Sequence, residues 1–360
     1  RPFYTTSAAA DFAIEFVDES AKSYAPLFLY VAFNAPHYPL QAPQKAVQKY
    51  DGRYDQGWDR LRVARHRKQT RTGLLPERWA LSPRPDHVPA WDALDASERQ
   101  WEADRMEVFA AMVDVLDENV GRIVDRLEVH GMLDNTLLMF CSDNGGCPFE
   151  RTKGRQYAAW DARSYWTYDA GWAHAGNTPF RLYKQNQHEG GISSPLIVHW
   201  PRGLTAEPGA VANQPGHLVD FMATCLDVGG AEYPSTIDDR QIEPLVGRSL
   251  APIFRGETRR PHETLYFHFG TDRALRQGPW KAVSAKLGRW ELYHTERDRT
   301  ELHDLSVEQA DRLAKMREEW FRIARQVDRL PAKQLAPVKA DLTDLSFRKE
   351  ARSSDPAKRP

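Results

Sequence analysis

The chain has 360 residues, with 49 Lys+Arg against 50 Asp+Glu and a formal net charge of -1. Its hydrophobic fraction of 41% together with 22 Gly gives about 47% apolar residues, within the roughly 45–50% of soluble globular proteins. This excludes a mainly disordered chain, a collagen and a small disulfide scaffold, and the near-zero charge gives no global reason to expect nucleic acid or an anionic membrane as partner. The length suits one large domain and a smaller one.

In chain order, Phe12, Ala13, Phe16 and Val17 have helical spacing, which predicts a helix over 7–20 with hydroxyl caps at Thr6 and Ser7. Residues 26–33 form an unbroken apolar run bounded by prolines, the pattern of a strand buried on both faces in a parallel sheet. Residues 51–100 are polar, rich in Arg, Trp and Pro, and read as an excursion with short helices. Met106, Phe109, Val113, Leu116, Val120, Ile123 and Leu127 then predict a long amphipathic helix over 102–130, closed at Gly131. Strands are expected at 136–141 and 196–200, and a helix at 218–228. Buried strands alternating with helices indicate an α/β fold with a mainly parallel sheet flanked by helices.

Beyond about residue 255 the texture changes. Segments 265–269, 274–283 and 290–293 are short and read as antiparallel strands, followed by a helix over 306–327. The expected organisation is an α/β domain over 1–255, an α+β subdomain over 256–330 and a polar, disordered tail over 331–360. No internal repeat is present, and the longest apolar runs fall far short of the roughly 20 residues needed to span a bilayer. Cys141, Cys147 and Cys225 contain no C-x-x-C pair and do not report a redox compartment. The start at Arg1-Pro2-Phe3, with no initiator Met and no apolar h-region, reads as an interior start with anything upstream missing, a signal peptide included.

Three short motifs carry candidate chemistry. Ser142-Asp143-Asn144-Gly145-Gly146 directly follows a predicted strand, where ligands gather in open α/β sheets. Asp143 and Asn144 offer hard oxygens suited to Ca²⁺ or Mg²⁺, although Asp-Asn-Gly is equally turn chemistry. His37 in Ala35-Pro36-His37-Tyr38-Pro39 is an imidazole fixed by flanking prolines, able to donate to an oxyanion or to be a packed loop residue. Lys184, ahead of His188-Glu189-Gly190-Gly191, can hold an anionic oxygen as a point charge or lie on the surface. His188 and Glu189 read as structural, since adjacent side chains in a strand-like stretch point to opposite faces. His174 and His217 read as packed or surface histidines. The basic stretch 60–71 reads as a solvated helix face. Trp160, Trp166 and Trp172 could wall a sugar or aryl group, or cover a core.

In this order and spacing the motifs resemble the sulfatase family of the alkaline-phosphatase-like superfamily, in its bacterial arylsulfatase type. The matching pieces are Phe28-Leu-Tyr-Val-Ala-Phe-Asn-Ala-Pro-His37-Tyr-Pro-Leu-Gln-Ala-Pro43, then Leu133-Asp-Asn-Thr-Leu-Leu-Met-Phe-Cys-Ser-Asp143-Asn144-Gly-Gly146. Asn177-Thr-Pro-Phe-Arg-Leu-Tyr-Lys184 follows, with Glu189-Gly-Gly191, Gly216-His-Leu-Val-Asp220, Gly247-Arg-Ser-Leu250, Gly278-Pro-Trp-Lys281 and Trp290-Glu-Leu-Tyr293. The resemblance implies an alkaline-phosphatase/sulfatase-like fold lacking its N-terminal part and hydrolysis of an aryl or carbohydrate sulfate. It implies Asp143 and Asn144 as ligands of Ca²⁺ (with Mg²⁺ possible), and His37 and Lys184 as catalytic and substrate-binding residues at the sulfate. Its first Asp-Asp ligand pair, its Lys-x-His pair and its Cys/Ser-x-Pro-Ser-Arg signature, which yields formylglycine, would lie upstream. None of the three cysteines carries that signature, so the chain alone is expected to turn over little sulfate ester. A parallel sheet without its central strands would expose apolar edges, so the chain is also expected to be poorly soluble. Alternatives are a phosphatase, phosphodiesterase or phosphonate hydrolase of the superfamily, and a non-catalytic binding module. A small-molecule or glycan sulfate ester is the expected partner, and a periplasmic or secreted location the expected compartment.

Overall fold

A computed structural model describes residues 3–23 and 25–329. Helices α1 (Thr5–Ser23), α2 (Gln44–Gln48), α3 (Gly57–Arg71) and α4 (Ala96–Val129) form the first half. Ala10, Ala13 and Val17 of α1 pack on Ile123 and Leu127 of α4, the contact that the helical spacing predicts. Helix α4 starts six residues before the apolar pattern does, because its first turn is polar. Asp95 accepts from Glu98 N at 2.9 Å while Glu98 accepts from Asp95 N at 3.1 Å, a reciprocal cap.

Strand β1 (Leu138–Cys141), helices α5 (Ala170–Gly176) and α6 (Glu189–Ile192), and strand β2 (Leu196–His199) follow. β1 and β2 pair antiparallel, with Phe140 opposite Ile197. The mainly parallel pairing expected from the apolar runs is therefore not found: every strand pair among the described residues is antiparallel. An apolar run signals burial but carries no direction. The connection from β1 to β2 also holds only two short helices, neither long enough to serve as a crossover across a sheet. The expected strand at 26–33 is likewise corrected. It is extended but joins no ladder among the described residues. Leu27, Leu29, Val31 and Phe33 pack toward α1 and α4, whereas Phe28 and Tyr30 are 78% and 83% exposed, so only one face is covered.

Helix α7 (Val219–Gly229), the hairpin β3 (Thr236–Ile237) and β4 (Arg240–Gln241), and helix α8 (Ala251–Phe254) lead into a four-stranded antiparallel sheet. Its order is β5 (Leu265–Phe269), β6 (Asp272–Gln277), β7 (Trp280–Ser284) and β8 (Glu291–His294). The segment expected as one strand over 274–283 is thus two, turned at Gly278, whose φ of 54° starts a two-residue hairpin turn that suits glycine. Helix α9 (Ala310–Val327) lays Leu313, Met316, Trp320 and Ala324 on Leu275, Ala282 and Leu292. The tail expected over 331–360 lies outside the described residues. Among the described residues no helix is long and apolar enough to cross a membrane.

The main core is aromatic. Trp58, Trp91 and Trp172 contact one another edge to face at 4.9–5.7 Å between centroids. Trp172 and Trp166 are buried, so of the three tryptophans considered for a ligand wall only Trp160 faces solvent. Helix α3 presents most of its arginines to water, but Arg62 is buried, contrary to a fully solvated face. It donates to Ser82 Oγ at 2.6 Å, to the carbonyls of Pro179 and Phe180 at 3.0 and 2.9 Å, and to that of His174. Burial, with the Arg65 charge adding, lowers its pKa to about 9. Arg62 thereby ties α3 to the turn that leads into Lys184.

Candidate functional site

The loop after β1 and the loop before β2 lock together through backbone contacts. Gly145 N donates to Gly191 O at 3.0 Å, and Lys184 N donates to Gly146 O at 3.1 Å. Asn177 bridges the two loops, accepting from Gly146 N at 3.0 Å and donating to Leu182 O at 3.0 Å. A Cβ on Gly145 would lie 1.9 Å from Gly190 O, so only glycine permits this approach. Three of the sequence-predicted residues, Asp143, Asn144 and Lys184, are thereby brought to one place.

Lys184 sits between two residues in the left-handed region, Leu182 (φ 62°) and Gln185 (φ 77°). Such conformations cost about 1–3 kcal/mol each for residues with a Cβ and persist only where the surroundings impose them. Here the imposing contacts are those of Asn177, Gly146 and the 3.0 Å bond from Gly190 N to Arg181 O. Lys184 is half-buried near Cys147, a buried thiol whose pKa burial pushes up while the Lys184 charge opposes the rise.

His37 is exposed, and its Nδ1 lies 2.8 Å from Tyr38 O. A carbonyl only accepts, so Nδ1 carries hydrogen there and Nε2 is the nitrogen left for a ligand. The connection to the other three residues runs through Tyr38, whose hydroxyl accepts from Arg151 Nη1 at 3.1 Å, seven residues beyond Asn144.

Asp143 is exposed and Asn144 half-buried, and no hydrogen bond or ion pair among the described residues engages the Asp143 carboxylate. One carboxylate and one amide oxygen match the preference of Ca²⁺ or Mg²⁺ in kind but not in number, since Ca²⁺ takes roughly 6–8 oxygens. Among the described residues no group of three or more His, Cys, Asp or Glu could hold a metal ion. The pair therefore fits part of a hard-cation shell.

Behind the Lys184 loop lies a buried charge cluster that the motif analysis did not identify as such. Lys281 Nζ is 2.8 Å from Glu189 and 2.8 Å from Glu301, and Arg299 Nε is 3.1 Å from Glu189. His188 Nε2 and Arg181 Nη1 reach Glu291 at 3.1 and 3.2 Å. His188 and Glu189 are thus structural, as expected, but Glu189 opens the short helix α6 instead of lying in a strand, and both side chains turn toward the C-terminal sheet. His174 is buried with both ring nitrogens unbonded, and burial, with the Arg62 charge adding, lowers its pKa to about 2. His217 Nδ1 accepts from Val219 N at 3.2 Å beside the buried Asp220.

A family model for sulfatases matches residues 2–231. An uncharacterized sulfatase of Schizosaccharomyces pombe is 33% identical over 351 residues, covering 89% of this chain and 61% of the relative. An arylsulfatase of Klebsiella aerogenes is 28% identical over 264 residues, covering 70% of this chain and 56% of the relative. The crystal structure of Ps i-CgsB in complex with k-i-k-neocarrahexaose shares the fold at a TM-score of 0.61 and 23% identity, covering 98% of this chain and 61% of that one. The chain thus spans somewhat over half the length of these two relatives. The family model covers more than half of the sequence, and the chain belongs to the sulfatase family.

Proposed function

We propose that the chain serves sulfate-ester hydrolysis and supplies the sulfate-facing part of the active site, with an aryl or carbohydrate sulfate as substrate. The observation that carries this reading is the stitching of the Asp143–Asn144 loop to the Lys184 loop through Gly145, Gly146 and Gly191. Cleaving an R–O–SO₃⁻ bond requires neutralising the sulfuryl oxygens and protonating or stabilising the departing oxygen. Lys184 Nζ offers the compact positive charge for a sulfate oxygen. His37 Nε2, oriented by the Nδ1 bond to Tyr38 O, faces the departing oxygen and donates to it when the ring is protonated on both nitrogens. Asp143 and Asn144 would hold Ca²⁺, or Mg²⁺, which when bound supplies Lewis-acid stabilisation of the sulfuryl charge. Cys141, Cys147 and Cys225 lack the Pro-Ser-Arg context of the family's formylglycine, so the nucleophile does not come from them. The name of the Klebsiella relative supports the aryl branch and the neocarrahexaose complex of the structural neighbour the carbohydrate branch, and a periplasmic or secreted location accords with the family resemblance.

The test is turnover of 4-nitrophenyl sulfate by the purified chain in Ca²⁺. Background turnover, restored on adding a polypeptide that carries the Cys/Ser-x-Pro-Ser-Arg signature in its formylglycine form, is expected. Clear hydrolysis by the chain alone, above a Lys184→Ala control, would contradict the assignment of only part of the site to it.

A further inference from the structure

The segment 148–167 builds a surface beside His37 that the sulfate chemistry above does not use. It is pinned to the His37 loop by Trp166 O, which accepts from Leu40 N at 2.9 Å, and by Ser164 O, which accepts from Gln41 Nε2 at 2.8 Å. Within it Lys153 and Tyr165 exchange both backbone hydrogen bonds at 2.9 Å. In such a pair the two side chains stand on the same face. The Tyr165 ring meets Tyr38 edge-on at 5.7 Å, and Tyr38 lies 4.3 Å from the His37 ring. Arg151 closes the strip by donating to the Tyr38 hydroxyl at 3.1 Å. The result is an aromatic row, His37–Tyr38–Tyr165, flanked by two exposed cations, Arg151 and Lys153.

The charge balance of this segment is uneven. Its carboxylates are already engaged, Glu150 with Arg105 and Asp161 with Arg163. Among the described residues no carboxylate pairs with Arg151, Lys153 or Arg155, although Arg151 and Arg155 lie over the rings of Phe149 and Trp101. Exposed tyrosines present an apolar body with a polar tip, which suits the face of a sugar ring. Unpaired cations at its edge suit an anion carried by that sugar.

We infer that Arg151, Lys153 and Tyr165 bind a second anionic group, sulfate or carboxylate, on the saccharide adjoining the one whose sulfate lies at His37 and Lys184. The substrate class is then an acidic oligosaccharide and not a monosulfated aryl or sugar. This rests on the sulfate-ester reading above.

The experiment measures binding to the whole chain in Ca²⁺ by calorimetry. The probes are N-acetylgalactosamine 6-sulfate, a chondroitin 6-sulfate tetrasaccharide, whose neighbouring anion is a carboxylate, and an iota-carrageenan tetrasaccharide, whose anions are all sulfates. At least one tetrasaccharide is expected to bind about tenfold more tightly than the monosaccharide, and which one identifies the anion. In K153A that preference should fall to about threefold with monosaccharide affinity unchanged, since an exposed charge contact contributes only a few-fold. Lys153→Arg should retain it, and Lys153→Glu should abolish it. Lys153 is exposed, so the variants test binding and not folding. An unchanged preference in both K153A and Lys153→Glu, or no tighter binding of either tetrasaccharide, would overturn the inference. Failure of the underlying reading looks different: Lys184→Ala would then leave the affinity for all three probes unaltered.

Discussion

Lys281 Nζ, on the C-terminal sheet, sits 2.8 Å from the carboxylate of Glu189, five residues past Lys184. Both side chains are almost wholly buried, and Arg299 and Glu301 complete the cluster. The small sheet is therefore a clamp on the loop that carries the candidate sulfate-binding lysine.

Lys281→Met leaves Glu189 and Glu301 buried without their shared cation, and removal of one partner of a buried pair costs about 3–5 kcal/mol. Chemical denaturation should show this loss, and a triple variant that also carries Glu189→Gln and Glu301→Gln should recover part of it. Burial alone would push the Glu189 carboxyl up, but the charges of Lys281 and Arg299 outweigh it and hold it below the ordinary range. The folded pKa is thus below the unfolded value of about 4.3. The contribution of Glu189 to stability is complete above that pH and is lost as pH falls beneath it.

Gln185→Gly removes a strained left-handed residue beside Lys184. Stability should rise by about 0.5–1 kcal/mol, since the left-handed conformation costs roughly 1–2 kcal/mol for a residue with a Cβ and glycine loses more entropy on folding. Sulfate-ester affinity should fall in the same variant, because the Lys184 backbone is then less tightly held. A variant with unchanged affinity would show that this strain does not position Lys184.

Glu107 on α4 is pushed up to about 7 by burial, partly opposed by Gly52 N, which donates to it at 2.8 Å. Its folded pKa lies above the unfolded one, so stability is full below about pH 4.3 and declines as pH rises toward 7. Glu107→Gln keeps the acceptor for Gly52 and loses the charge. It should stabilise the protein at pH 8, by up to about 3–4 kcal/mol, and leave it unchanged at pH 4, as thermal melts at the two pH values would show.

The half-covered strands carry a further consequence. Phe28 and Tyr30, on a segment that joins no ladder among the described residues, and Ile197, 62% exposed on a strand of a two-stranded sheet, present apolar side chains to solvent. Such edges promote self-association. Sedimentation should show concentration-dependent association of the isolated chain, reduced in F28K/I197K, and a monomer at high concentration would contradict it.

Much of this fold was legible because it rests on local pattern. The spacing in α1, α4 and α9 and the short apolar segments of β1, β2, β5 and β8 are signals carried by neighbouring residues. Strand direction was not, since the burial of Leu138–Cys141 is the same whether its partner runs with it or against it. The one-sided exposure of 26–33 also escaped, because an apolar residue looks the same whether it is covered or not. At the site, Asp143, Asn144 and Lys184 stood out as residue types beside glycines, and the structure joins their loops. His37 is linked to them through Tyr38 and Arg151, and the Lys281–Glu189 clamp spans 92 residues, a distance that no local pattern encodes.

The most direct test of the shared site is calorimetric titration of 4-nitrophenyl sulfate into the chain in Ca²⁺, beside Lys184→Ala and Asp143→Ala. The ester should bind to the unaltered chain, about tenfold or more weakly to Lys184→Ala, and without dependence on Ca²⁺ to Asp143→Ala. Equal affinity in all three proteins, with the same Ca²⁺ dependence, would contradict a sulfate site built from the Asp143 and Lys184 loops.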